Sequence, residues 1–206
     1  RWVVMGRGPG LWGLRIIDAS NPEDMSVVGN AFALGMTRQI ALNDRMAYTA
    51  QGLFGVYVFD LSDPTDPEYA NILDTDGVAL GVTHHGSLLF VAQTGSRVDI
   101  YRTTNGMVEY VGNVETEKTP VEIRVHGDTL MVAELDRVHA LKCVAGINCW
   151  PGDHVEVFDI SDPSAPAKKT DLSFNEAEIL FSPLRGENAL FYRKGGFQAS
   201  EPEVQP

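Results

Sequence analysis

Short runs in which apolar and polar residues alternate cover most of this chain, and clusters of Gly, Pro, Asp, Asn and Ser separate them. Alternation at period two predicts strands, and no segment holds the 3.6-residue period of a helix. Three runs share one ending. They are Gly13-Leu14-Arg15-Ile16-Ile17-Asp18-Ala19-Ser20-Asn21-Pro22, Gly55-Val56-Tyr57-Val58-Phe59-Asp60-Leu61-Ser62-Asp63-Pro64 and His154-Val155-Glu156-Val157-Phe158-Asp159-Ile160-Ser161-Asp162-Pro163. Each is a strand followed by Asp-x-Ser-(Asp/Asn)-Pro.

The spacing of these runs sets a period. Asp18 and Asp60 are 42 residues apart, and another 42 reaches Arg102, at the end of Arg97-Val98-Asp99-Ile100-Tyr101. That segment is a degenerate copy, with Arg102-Thr103-Thr104-Asn105-Gly106 in place of the turn. From Arg102 to Asp159 is 57 residues, one period plus about 15, and the surplus lies around residues 141–153. A second motif runs in phase. Ile40–Gln51, Val82–Gln93 and Glu122–Glu134 each read as a strand, a tight polar turn (Asn43-Asp44, His85-Gly86, His126-Gly127) and an apolar strand, which is a hairpin signal. With a third strand ending in Asp-x-Ser-Asp-Pro and a short fourth such as Glu68 to Leu73, each period holds four strands. A fixed period of four antiparallel strands predicts an all-β chain of β-propeller blades.

The turn has a local cause. The carboxylates of Asp18, Asp60 and Asp159 can accept backbone N–H groups one or two residues on, forming Asx-turns. Ser20, Ser62 and Ser161 add weaker bonds of the same kind. Pro22, Pro64 and Pro163, after Asn21, Asp63 and Asp162, fix φ and stop the strand. A second Pro, as at Pro67 and Pro166, keeps the connection extended and protects the sheet edge.

Asp-Leu-Ser-Asp-Pro-Thr-Asp-Pro at 60–67 and Asp-Ile-Ser-Asp-Pro-Ser-Ala-Pro at 159–166 resemble the LVIVD-repeat propellers, bacterial and archaeal proteins of the cell surface or exported space. The resemblance runs from Gly13 to about Lys194. It implies a part in adhesion or assembly, and it carries over no catalytic residue. The degenerate third copy and the inserted residues depart from the pattern.

Arg1 to Met5 match a second-strand position, so the reading begins inside a blade. Residues 178–182 and 188–194 form a last hairpin. Four blades could close a ring if the strand at 178–182 served the opening blade, with one strand left over. The preferred expectation is part of a larger ring, with blades over 1–195 and a tail at 196–206.

Charge and chemistry narrow the function. The 206 residues carry 28 acidic against 16 basic side chains, a formal charge of −12, and no Lys/Arg cluster larger than Lys168-Lys169. A phosphate backbone would be repelled, so nucleic acid is excluded as a partner. No apolar run reaches the roughly 18–20 residues of a transmembrane helix. Cys143 and Cys149 lie in the insertion at a spacing that suits neither zinc nor thioredoxin-like pairs, and are expected to form a local disulfide, which implies an extracytoplasmic location. A metal site joining His139 and His154 to these cysteines is the alternative.

Among the histidines, His85 and His126 occupy hairpin turns, and His84 replaces an apolar residue. The pair His84-His85 is therefore a candidate transition-metal ligand set. The acidic turns around Asp60, Asp63 and Asp66, and Asp74 and Asp76, offer oxygen atoms that suit calcium but lack the rest of a calcium loop. No Gly-x-Ser-x-Gly elbow or Ser/His pairing is present, and Gly6-Arg7-Gly8-Pro9-Gly10 lacks phosphate-loop spacing. Trp12 and Trp150 fall on connections of the kind that contact partners. The expected function is a non-catalytic, exported interaction module, needing no cofactor. It would bind a protein or glycan partner, or further segments of the same propeller, through loops and rims. The alternative is a metal-binding or enzymatic propeller with its site at the central channel, where Arg38, Glu122 and Arg124 break an otherwise ordinary lining.

Overall fold

The computed structural model describes residues 1–6, 13–136 and 154–173, and within them every element is a strand. The opening sheet holds β1 (Trp2–Gly6), β2 (Leu14–Asp18) and β3 (Ser26–Ala31). The second holds β4 (Ile40–Asn43), β5 (Met46–Ala50), β6 (Val56–Asp60) and β7 (Glu68–Leu73). The third holds β8 (Ala79–His85), β9 (Leu88–Gln93), β10 (Arg97–Thr104) and β11 (Met107–Glu115). The fourth holds β12 (Thr119–His126), β13 (Thr129–Leu135), β14 (His154–Asp159) and β15 (Ala167–Ser173). In all four sheets, strands that follow one another in sequence are neighbours in space and antiparallel. This is the four-stranded blade of a β-propeller, expected from the repeat, with three complete copies and a three-stranded one among the described residues.

The ladders are in one register throughout. Trp2, Met46, Leu88 and Thr129 face Asp18, Asp60, Arg102 and Asp159 across the second and third strands. Each blade also has a bulge at one equivalent place between its third and fourth strands, opposite Ile16/Ile17, Val58/Phe59, Ile100/Tyr101 and Val157/Phe158. The extra residue falls on the outer strand, at Val28, Ala70, Val111 and Lys169. A bulge steepens the local twist, and its recurrence gives every blade the same shape.

Both faces of the second and third sheets are covered by their neighbours. Leu14, Ile16, Ala31, Tyr57 and Phe59 fill the space between the first and second sheets. Tyr48, Val58, Val82, Leu89 and Val91 lie between the second and third, and Phe90, Ile100, Ile123, Leu130, Val132 and Phe158 between the third and fourth. This explains why the middle strands read as unbroken apolar runs rather than strict alternation. Each such side chain, fully buried, contributes about 1.5–3 kcal/mol. The outermost strand β15 is exposed along its whole length.

The hairpin turns sit one residue later than the sequence suggests. The loop pairs are Asp44-Arg45, Gly86-Ser87 and Gly127-Asp128, because the ladders close at Asn43–Met46, His85–Leu88 and His126–Thr129. Asp44, Gly86 and Gly127 all have positive φ, which the tight mirror-image hairpin turns require at their first loop position. The degenerate third copy has its own solution. Asn105 and Gly106, both at positive φ, join β10 directly to β11 as a two-residue hairpin, replacing the Asp-x-Ser-Asp-Pro excursion.

In the second and fourth sheets that excursion packs on the preceding blade. A Cβ added to Gly29 on β3 would lie 2.1 Å from the carbonyl oxygen of Pro64, and one added to Gly112 on β11 would lie 3.4 Å from that of Pro163. Gly29 and Gly112 are equivalent positions, opposite Ile16 and Ile100. The equivalent on β7 is Asn71, opposite Val58. The next blade there is the one with no proline turn, so no backbone needs room.

Candidate functional site

Antiparallel order sorts the connections onto two ends. Hairpins between first and second strands, and turns between third and fourth, share one end, called here the turn face. Links between second and third strands, and between successive blades, share the other, the loop face.

On the turn face the Asp-x-Ser motif closes on itself. Asp18 Oδ1 accepts the Ser20 amide at 2.9 Å, Asp60 Oδ1 the Ser62 amide at 2.7 Å and Asp159 Oδ1 the Ser161 amide at 2.9 Å. Ser62 Oγ also donates to Asp60. The following residue repeats the arrangement: Asp63 accepts Thr65 N and Oγ1, Asp162 accepts Ser164 N and Oγ, and Asn21 accepts Glu23 N. These bonds hold the carboxyls of Asp18, Asp60, Asp63 and Asp162 below their ordinary range and bring Asp159, which also meets Lys169 at 3.1 Å, to about 2.

His84 also lies toward the turn face, in the seam between the second and third sheets. Its ring stacks on Tyr48 at 5.2 Å, and Nε2 meets Thr103 Oγ1 at 2.8 Å and Asn43 Nδ2 at 3.3 Å. Burial, helped by the neighbouring His85, lowers its pKa. His85 is exposed and, as the next residue on a strand, leaves on the opposite face. The structure thus engages His84 in an inter-blade polar contact and separates it from His85. His139, Cys143, Cys149, Trp12 and Trp150 lie outside the described residues.

At the centre β8 runs beside both β4 and β12. Gln39, just before β4, reaches across all three inner strands: its Nε2 donates to the Ile123 carbonyl at 2.9 Å and its Oε1 accepts the Val82 amide at 3.2 Å. Gly81 makes room, since a Cβ there would lie 2.8 Å from Gln39 Oε1. Of the polar residues expected at the channel, Arg124 pairs with Glu122 at 3.2 Å, and desolvation lowers the pKa of Arg38.

The loop face carries the most chemistry. Gln51, Gln93 and Glu134 occupy one equivalent position, closing the second strand of three blades, and all are buried. Gln51 Nε2 donates to Thr49 and Thr37 hydroxyls at 2.8 and 3.0 Å. Gln93 Oε1 accepts the Gly77 amide at 2.8 Å, and its Nε2 donates to buried Asp99, which Arg97 holds at 2.6 Å. In the fourth blade the same three places hold Glu134, Glu156 and His154 instead of Gln93, Asp99 and Arg97.

The exchange replaces an amide beside a carboxylate with two buried carboxylates. Burial, and then the Glu156 carboxylate, push the Glu134 carboxyl up to about 9. Lys168 from β15 neutralises part of the charge, with Nζ at 2.7 Å from Glu156 Oε1 and 2.6 Å from Glu117 Oε1. Glu156 Oε2 accepts the Glu117 amide at 3.0 Å. His154 Nδ1 meets Ser173 Oγ at 2.9 Å, and Nε2 faces Glu134 Oε2 at 3.6 Å and Glu117 Oε2 at 3.8 Å. Of this group the sequence marks only His154 as a candidate metal ligand. Glu134 was aligned with Gln51 and Gln93, and that amide-to-acid change inside a buried repeat position was the signal.

The LVIVD repeat model matches residues 11–31, 34–75 and 153–172. The chain is thus similar to the LVIVD repeat at three places. The matches fall on the strands and turns of the first, second and fourth sheets, and the blade with the Asn-Gly hairpin is not among them. Among solved structures, the crystal structure of Sqt1 of Saccharomyces cerevisiae is similar, with a TM-score of 0.53 at 12% identity over 69% of this chain. That likeness shows the propeller fold. This chain spans 37% of the length of the Sqt1 chain. No curated protein matches the sequence.

Proposed function

We propose that this LVIVD-repeat propeller is a non-catalytic interaction module of an exported or cell-surface protein, and that it binds a protein partner through its loop face. One observation carries the reading. Phe32 and Leu34, on the link from the first blade to the second, and Leu53 and Phe54, on the link from β5 to β6, are 39–78% exposed on that face. The Phe54 ring lies against Gly35, where a Cβ would meet it at 2.7 Å, so the two links form one apolar patch. Clustered exposed aromatic and leucine side chains mark contact surfaces, whereas single exposed apolar residues do not. A glycan would want polar groups around an aromatic platform, and the leucines favour protein. The cysteine pair and the family resemblance support export.

The test compares the two ends of the molecule. A photo-crosslinking residue is placed at Leu53 on the loop face, or at Ser62 on the turn face, in the chain expressed in its native host. The reading expects a discrete protein adduct from position 53 and none from 62. Adducts from 62 alone, or none from 53, would overturn it.

A further inference from the structure

The fourth blade carries a group that the interaction reading does not use. Glu134 and His154 are almost fully buried, with side chains 0% and 4% exposed; His154 Nε2 has no hydrogen-bond partner, and neither Glu134 oxygen reaches hydrogen-bond geometry, although Glu156, Thr116 and the Lys118 backbone lie close enough to act on its carboxyl. A buried polar atom without a partner costs about 1–3 kcal/mol, so something is expected to meet three such atoms in one place. They point at one another and at Glu117: Nε2 is 3.6 Å from Glu134 Oε2 and 3.8 Å from Glu117 Oε2, and ligand atoms of Glu117, His154 and Glu156 all lie within 4.8 Å.

We propose that His154, Glu117, Glu134 and Glu156 form a binding site for one divalent transition-series cation, of which zinc is the best match, at the loop face of the fourth sheet. The donor set is one imidazole nitrogen and carboxylate oxygens, which suits zinc and its neighbours, whereas calcium takes six to eight oxygens. Tetrahedral ligands at about 2.0–2.2 Å from zinc are roughly 3.3–3.6 Å apart. The separations of 3.6 and 3.8 Å need to close by only a few tenths of an ångström.

The surroundings agree. His154 Nδ1 lies 2.9 Å from Ser173 Oγ, and the tautomer in which it donates to that hydroxyl turns the Nε2 lone pair toward the carboxylates, the usual outer bond of a metal-ligating histidine. Lys168 takes the Oε1 atoms of Glu117 and Glu156 and leaves Oε2 of Glu117 facing His154. The third blade shows what the position looks like without a ligand: Gln93, Asp99 and Arg97 satisfy one another.

The test is zinc titration of the chelator-treated full chain by calorimetry, with cobalt(II) as a visible-absorbance probe of coordination. The expected result is one equivalent bound, with tetrahedral cobalt bands. Glu117→Gln, at an exposed residue, weakens binding at least tenfold while circular dichroism stays unchanged. Glu134→Gln, which installs the amide found at positions 51 and 93, does the same while circular dichroism stays unchanged. A chain that binds no stoichiometric zinc or cobalt overturns the proposal. So does binding that survives both variants, or binding that is lost on Cys143→Ser and Cys149→Ser instead. None of these outcomes touches the crosslinking test of the apolar patch, so the two readings fail separately.

Discussion

Replacing Gly29 by Ala tests how the proline turns lock one blade to the next. The added Cβ would sit 2.1 Å from the Pro64 carbonyl oxygen, more than 1 Å inside ordinary contact distance. Pro64 cannot simply withdraw. Asp63 Oδ1 accepts Thr65 N at 2.9 Å, and Asp66 N donates to the Asp63 carbonyl at 3.1 Å, pinning the turn on both sides. Overpacking of this kind costs about 1–3 kcal/mol, and replacing a strand Gly by Ala returns about 0.5–1 kcal/mol. The expected net loss is about 1–2 kcal/mol. With a urea slope of about 1–3 kcal/mol/M, the midpoint should fall by roughly 0.3–2 M. Gly112→Ala is the control, because its Cβ would meet Pro163 at 3.4 Å. That variant should be neutral or slightly stabilised. A Gly29→Ala midpoint equal to that of the parent, or an equal loss from Gly112→Ala, would refute the reasoning.

Gln39→Leu should destabilise the chain by about 2–4 kcal/mol, since it strands the Val82 amide and the Ile123 carbonyl together, and Gln39→Glu should restore only the first bond. Chemical denaturation of the three proteins reads this directly. The turn carboxylates set an acid-side dependence. Their folded pKa values lie below the ordinary range, so the stability they lend is complete above about pH 4 and is lost as pH falls toward 2, the folded value of Asp159. Asp159→Asn keeps an oxygen for the Ser161 amide but cannot titrate, so its loss of stability between pH 4 and 2 should be shallower than that of the parent. If Cys143 and Cys149 form the expected disulfide, protein isolated without reductant should show no free thiol, and two free thiols would remove that support for export.

Much of the blade was legible because it is local. The apolar run from Val56 to Phe59 and a turn built by Asp60 and Ser62 need no information from elsewhere in the chain, and the repeat multiplied a weak signal. The degenerate copy was legible as a departure, though its remedy, the Asn105-Gly106 hairpin, had to be seen as a turn type. What stayed hidden depends on partners far away in sequence. The bulges at Val28, Ala70, Val111 and Lys169 exist only relative to the neighbouring strand. Gly29 is small because of Pro64 in the next blade, and Gln39 spans to Ile123, 84 residues on. The acid cluster was half visible. Glu134 stood in line with Gln51 and Gln93, but its proximity to Glu117 and Lys168 comes from folding the fourth blade. His84 and His85 drew attention as a pair, and strand alternation is the reason they part.

The loop face as the interaction surface is tested most directly by the affinity of the partner captured through position 53. Leu53→Asp combined with Phe54→Ser removes the centre of the patch, and central apolar residues typically carry at least 2 kcal/mol of an interface. The account predicts a loss of affinity of about 30-fold or more, with Thr65→Ala on the turn face binding like the parent. Unchanged affinity in the loop-face variant, or a matching loss from the turn-face one, would contradict it.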